Sequence, residues 1–263
     1  MNILFIGDIV GRPGRRILTE HLGTIRTGLA VDFCIGNAEN AAGGSGLTPD
    51  AAEELFRAGV DVLTNGDHVW QKKEILPLME KSPRLLRPAN LSPLALGRGW
   101  CVFTIPSGAA IGVLNLQGRI FMRPVDCPFR VADAILPEMS GQARIIIVDM
   151  HAEATAEKVA MGWHLDGRVS AVLGTHTHIQ TADEQILPGG TAYITDVGMT
   201  GPYDSVIGRR KDRVLEAMLT QMPKVFDVAK GDVRLSAVLV AVDPASGRAQ
   251  GIRRIHLREG EML

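Results

Sequence analysis

The residues of this chain that could do chemistry stand at the ends of apolar runs. Gly174-Thr175-His176-Thr177-His178 follows Val169 to Leu173, so two histidines lie just past a predicted strand. In extended chain alternate side chains share a side, which lets His176 and His178 converge on one point. Neutral imidazole is the commonest metal ligand. Other runs end the same way: Asn2 to Ile6 at Asp8, Val31 to Ile35 at Glu39-Asn40, Val60 to Leu63 at Asp67-His68, and Ala143 to Val148 at His151. Of the 7 histidines, His68, His151, His176 and His178 sit at such tips, whereas His21, His164 and His256 read as structural or exposed. Mixed oxygen and imidazole donors suit Mn, Fe or Zn, and the absence of a Cys-x-x-Cys pair disfavours a structural zinc site.

The elements that must position these tips alternate. Arg15 to Leu22 has helical character after a turn at Gly11, Pro13 and Gly14. Thr48 then Pro49 is a cap followed by proline in the first turn, predicting a helix from Pro49 to Ala58 with Gly59 as its left-handed stop. Strand, polar tip and helix recur, the mark of α/β organisation with ligands beyond the strand C-termini. Trp100 to Ile105 and Ile111 to Leu116 read as a strand pair, Pro128 to Leu136, Ala154 to Trp163 and Arg213 to Met222 as helices. Val233 to Val242 and Ile252 to Leu257 read as closing antiparallel strands. That is too many strands for one compact sheet. The expected fold is α/β with two packed mixed sheets, a sandwich flanked by helices, in a single domain over residues 1–263.

Composition narrows the classes. A net charge of -1 gives no reason for a general nucleic-acid or membrane surface, and the 3 cysteines suit a reducing, cytoplasmic setting. No stretch approaches the roughly 20 apolar residues that span a bilayer. Gly7, Gly11 and Gly14 do not make a nucleotide phosphate loop, since Asp8 would repel a phosphate and the Gly-Lys-Ser/Thr ending is missing. Gly43 to Gly46 reads as a flexible loop or a lid, Arg12, Arg15 and Arg16 as a solvated face or phosphate contacts, and Trp70 and Trp163 as packing residues, Trp70 near enough to His68 to line a pocket.

Taken together, Gly7-Asp8-Ile9-Val10-Gly11, Asn37-Ala38-Glu39-Asn40-Ala41-Ala42, Gly66-Asp67-His68, His151-Ala152-Glu153-Ala154-Thr155 and Gly174-Thr175-His176-Thr177-His178 resemble the motifs of the calcineurin-like metallophosphoesterases. The resemblance runs from residue 2 to about residue 208. Ordinary members carry Asp-x-His in the first motif. Ile9-Val10 after Asp8, Glu39-Asn40 at the second tip and the run Thr200 to Ser205 are instead similar to the bacterial YmdB-type branch. The resemblance implies a dinuclear site: Asp8, Asn40 and His178 on one metal, Asp67, His151 and His176 on the other, Glu39 bridging, and His68 as proton donor. It implies iron or manganese ahead of zinc. It draws Thr200 to Ser205 toward the substrate-facing wall, against the plainer reading of a structural turn. Two positions depart from the pattern. Asp67 stands where Asn is usual, an added negative charge that should tighten metal binding and weaken Lewis acidity, so Asp67→Asn should keep both metals and raise turnover. Ala38 stands where glycine is usual.

The implied activity is a metal-dependent phosphodiesterase in which a dinuclear centre activates a hydroxide for in-line attack on cyclic nucleotides, 2′,3′- or 3′,5′-cyclic, with short RNA ends as further substrates. A cytoplasmic homo-oligomer is expected. The alternative is a regulatory protein with a retained but weakly active metal site. An amidohydrolase-type barrel also uses His-x-His, but after its first strand, whereas here the pair follows a late one.

Overall fold

The structure, a computed structural model, describes residues 1–261. The chain opens with β1 (Asn2–Ile6), β2 (Asp8–Ile9), α1 (Gly11–Gly28), β3 (Phe33–Asn37), α2 (Pro49–Ala58), β4 (Val62–Thr64) and α3 (Leu76–Lys81). It continues through β5 (Trp100–Thr104), β6 (Ala110–Gln117), α4 (Pro128–Ser140), β7 (Ile145–His151), α5 (Thr155–Leu165) and β8 (Ala171–Thr175). The last third supplies β9 (Gln185–Ile186), β10 (Ala192–Ile194), β11 (Met199–Pro202), α6 (Lys211–Thr220), β12 (Val233–Val242) and β13 (Ala249–Arg258).

These strands form two mixed sheets, as expected. One is 7-stranded in the order β2-β11-β12-β1-β3-β4 with β13 beside β12; the other is 6-stranded in the order β5-β6-β7-β8-β10-β9. Parallel pairing joins β1, β3 and β4 in the first and β6, β7, β8 and β10 in the second. Within each parallel set the C-terminal tips therefore share an edge. Ile3, Phe5, Ile35 and Val240 of one sheet bury themselves against Ile111, Val113, Ile147 and Leu173 of the other, which makes the sandwich core. Ile17, Leu18 and Leu22 of α1 with Leu55 of α2 cover the outer face of the first sheet. Ala132 and Leu136 of α4 with Met161 and Leu165 of α5 cover the second. Apolar side chains thus leave water on both faces of each sheet, and helices lie outside both.

Local chemistry sets several ends. The Thr48 hydroxyl accepts from the Ala51 N–H (3.4 Å), Pro49 opens α2, and Gly59 closes it at φ 111°. The predicted turn at Gly11, Pro13 and Gly14 is instead the first turn of α1, with Gly14 N–H donating to the Val10 carbonyl (3.1 Å). A first-turn proline loses no helical hydrogen bond, so Pro13 does not exclude the helix. Strands β3 and β7 run past their apolar stretches to Asn37 and His151. Ladder partners explain this: Asn37 pairs with Thr64, and His151 lies between Gln117 and Thr175. Trp163, expected to pack, is 56% exposed on α5, whereas Trp70 packs against the α1–α2 side of the core. Among the described residues no helix is long and apolar enough to cross a membrane.

Candidate metal centre

The sequence expectation of an extended His-x-His does not hold. His176 has φ 97° and His178 φ 67°, both left-handed. Such backbone is costly for a side chain with a Cβ and persists only where its surroundings hold it. The holder is Asp196. Its Oδ2 accepts from the Thr177 N–H (3.0 Å), the Thr177 hydroxyl (2.6 Å) and Lys158 Nζ (2.7 Å), and its Oδ1 accepts from the Gly198 N–H (2.8 Å). Lys158 and Asp196 are both buried. The turn so held aims its two histidines at different neighbours.

His176 faces one group: ligand atoms of Glu39, Asp67, His151 and His176 all lie within 4.8 Å of one another. Within it His151 Nε2 is 3.1 Å from Glu39 Oε2, 3.3 Å from Asp67 Oδ1 and 3.1 Å from His176 Nδ1. His178 faces the other: its Nε2 is 3.2 Å from Asn40 Nδ2 and 3.8 Å from Asp8 Oδ1. Glu39 touches both groups, since Asn40 Nδ2 donates to its Oε1 (3.0 Å). Gly66 makes this crowding feasible, because a Cβ there would overlap His151 Nε2 and Glu39 Oε2. His68 stands beside both groups, its Nδ1–H donating to Asn40 Oδ1 (2.9 Å) and its backbone N–H to Glu39 Oε2 (3.1 Å).

Each imidazole is turned by a fixed partner. The Thr175 hydroxyl gives its hydrogen to Asp149 Oδ1 (2.7 Å), so it accepts from His151 Nδ1–H (2.9 Å) and leaves Nε2 as the atom turned toward the acidic group. Asp149 is itself buried and also accepts from Thr64 and Asn37. His178 Nδ1–H donates to the Ile207 carbonyl (3.0 Å), again freeing Nε2. His176 is turned by His151, whose Nε2 meets its Nδ1 at 3.1 Å, while the half-exposed Glu153 carboxylate lies 3.1 Å from its Nε2. Asn40 turns its amide nitrogen toward His178; ligation through oxygen requires the near-isosteric flip of that amide.

The electrostatics fit a cation-binding centre. Burial raises the Asp8 carboxyl to about 6 against the pull of His178, and its Oδ1 is buried with no hydrogen-bond partner among the described residues. Burial also lowers His176 to about 4, with the nearby His151 charge adding to it. Burial opposes the charges on Glu39 and His151, yet each outweighs that for the other, so Glu39 is held low and His151 high. The hydrogen bond to Glu39 raises His68. Two imidazole lone pairs and several carboxylate oxygens pointing at common positions are stable together when a cation lies among them.

Around the two groups lies a cleft of about 250 Å3, lined by Glu39, Asn40, His68, Glu153, His176, His178 and Arg209 among others. Sequence reasoning passed over Arg209, which has no motif, and gave Glu153 no role although it sits inside one. It also missed Lys158, Asp149 and Thr175, whose partners are distant in sequence. Other expected contacts are elsewhere. Thr200 to Ser205 do not line the cleft. Thr200 pairs with Ile9 in the β11–β2 ladder, which is the structural alternative. Arg15 is tied to Glu54 and Arg16 to Glu20 and Glu259, so neither is free for phosphate.

Carboxylates and imidazoles are thus carried to one cleft by both sheets of a helix-flanked sandwich. The model of the YmdB-like protein family matches residues 4–255, and the chain belongs to that family. It is 46% identical, over 100% of its own length and 99% of the relative's, to a Bacillus subtilis (strain 168) protein named 2′,3′-cyclic-nucleotide 2′-phosphodiesterase. A hypothetical protein from Thermus thermophilus shares the fold with a TM-score of 0.93 and 42% identity, over 98% of this chain and 100% of that one. A phosphatase from Mycoplasma pneumoniae matches with a TM-score of 0.92 and 35% identity, over 98% and 93%.

Proposed function

We propose that the protein hydrolyses phosphodiesters, with 2′,3′-cyclic nucleotides as first substrate, using two divalent metals. One observation carries this: the group Glu39, Asp67, His151 and His176 is joined through Glu39 to Asp8, Asn40 and His178, with His68 beside the join. Asp8, Asn40 and His178 would hold one metal, Asp67, His151 and His176 the other, and Glu39 would bridge them. An oxygen-and-imidazole donor set suits iron or manganese and admits zinc. Bound there, the metals supply Lewis acidity toward the phosphoryl group and an activated water.

The chain's own residues do the rest. Asp149 through Thr175 and the Ile207 carbonyl orient two imidazoles, His151 and His178, for ligation through Nε2. His68 is half-buried at the cleft, its Nδ1 lying 3.2 Å from Glu39 Oε1, and Nε2 is the atom left to give a proton to the departing ribose 2′ oxygen. The name of the Bacillus subtilis relative supports the 2′,3′ ring over the 3′,5′ ring. Short RNA ends, a cytoplasmic setting and a homo-oligomeric state belong to the same proposal.

Elemental analysis beside hydrolysis of 2′,3′-cyclic, 3′,5′-cyclic and monoester substrates, with and without chelator, tests it. Two metals per chain and chelator-sensitive opening of the 2′,3′ ring to the 3′-monophosphate are expected. Fewer than two metals with no diester cleavage would overturn the reading. Two metals with no turnover on any ester would favour the regulatory alternative.

A further inference from the structure

We infer that Arg209 is a phosphate-contacting residue of this cleft, gripping two phosphoryl oxygens of the substrate with the Nε–Nη2 edge of its guanidinium. The inference rests on the phosphodiesterase reading above. Arg209 lines the same cleft as Glu39, Asn40, His68, His176 and His178. Its side-chain hydrogen bonds among the described residues all go to carbonyls: Nη1 to Gly43 (3.3 Å) and Phe226 (3.1 Å), and Nη2 to Gly44. A guanidinium has five N–H donors. Those three bonds leave the Nε–H and one Nη2–H without a partner among the described residues, donors enough for two oxygens of a phosphate.

A half-buried cation whose hydrogen bonds go to carbonyls, with a carboxylate only at longer range, is an uncommon arrangement, because burying charge is costly without a close counter-charge. Burial lowers the Arg209 pKa, and Asp227 offsets this only in part. An arriving phosphate is the missing anion. The surroundings are shaped for the arginine rather than merely tolerating it. Gly44 sits at φ 84°, and a Cβ there would overlap the guanidinium. The glycine-rich run Gly43 to Gly46 is thus a seat for Arg209, not a free lid.

The turn that presents Arg209 also serves the metal centre. Val206 and Arg209 exchange backbone hydrogen bonds (2.9 Å each), and between them Ile207 lends its carbonyl to His178 Nδ1–H (3.0 Å). One short turn therefore fixes both the arginine and a proposed ligand. Charge balance gives the contact its use. Asp8, Glu39 and Asp67 against two divalent cations leave a single positive charge, since four minus three is one. A diester is singly charged, but its pentacoordinate transition state and its monoester product carry more negative charge. Arg209 supplies the extra positive charge as that develops.

Arg209→Gln and Arg209→Lys, each loaded with metal, test the inference through inorganic phosphate binding by calorimetry, elemental analysis, and kcat and KM on a 2′,3′-cyclic nucleotide. We expect the Gln variant to keep its metals and bind phosphate about tenfold to a hundredfold more weakly, the worth of a charge-assisted hydrogen-bonded contact. The Lys variant, keeping the charge but not the bidentate edge, should recover part of that loss. Phosphate affinity of the Gln variant within about twofold of wild type overturns the inference. So does full recovery by Lys, or a Gln loss that tracks lost metal, because either makes Arg209 a loop clamp. If wild type cleaves no diester yet its phosphate binding depends on Arg209, the activity reading fails and this contact stands.

Discussion

At His151, three influences meet on one imidazole. Burial opposes its charge, Glu39 and Asp67 favour it, and the carboxylates prevail, holding the ring protonated well above the ordinary histidine range in the metal-free protein. Thr175 keeps Nδ1 occupied, so the extra proton is on Nε2, the atom turned toward Glu39, Asp67 and His176. Ligation must displace that proton. The sign follows: a raised pKa means the proton is present at neutral pH, so metal uptake releases it and affinity rises with pH. Calorimetric titration of metal-free protein in buffers of different ionisation enthalpy should show net proton release, and heats independent of buffer would count against the assignment of His151. His68 makes a different prediction. As donor to a leaving oxygen it is worth about 10²–10⁴ in rate on a poor leaving group. His68→Ala should therefore keep both metals and lose that factor on a cyclic nucleotide while largely sparing a nitrophenyl ester. Equal losses on both would remove the donor role.

The element that most depends on its supports is the turn between β8 and residue 178. Two histidines in left-handed backbone are held by Thr177 on Asp196, and Asp196 is neutralised by Lys158 from α5. Both charges of that pair are out of water, so removing one leaves the other uncompensated, a change that typically costs about 3–5 kcal/mol. Lys158→Met should lower unfolding free energy by about that amount in denaturant titration and reduce metal retention as the turn relaxes. A loss below about 1 kcal/mol with full metal content would show that hydrogen bonds alone hold Asp196.

Over the whole molecule, several large apolar residues stand in water among the described residues, and a run of them follows α6. Leu215, Met218 and Leu219 of α6, with Met222, Val225 and Phe226 after it, are exposed. Leu215, Met218 and Leu219 fall at the spacing of one helix face, and an apolar face turned to water marks an interaction surface. The expected homo-oligomer gives it an occupant, a second copy of the chain. Light scattering should return a multiple of 28.3 kDa, and Leu219→Asp should lower it. A wild-type mass of 28.3 kDa would reject the homo-oligomer.

The alternation of strands and helices was legible before folding, because periodicity, caps and glycine stops act over a few residues. The Thr48–Gly59 helix was legible to the residue for that reason. The sequence also supplied Asp8, Glu39, Asn40, Asp67, His68, His151, His176 and His178 as the chemistry-bearing set, since each follows an apolar run or ends one. How they divide was implied in the sequence by the family resemblance alone, and its physical means lies in the tertiary fold. An extended His-x-His would aim both rings at one point; the Asp196 mount turns the backbone left-handed, and the rings face separate groups. Strand ends at Asn37 and His151 were set by ladder partners rather than by composition. Lys158, Asp149 and Arg209 carry no local signal at all, and Glu153 carries only its place in the His151 motif. Their roles come from charges and donors that meet across the sandwich, and proximity of that kind exists only once the chain has folded.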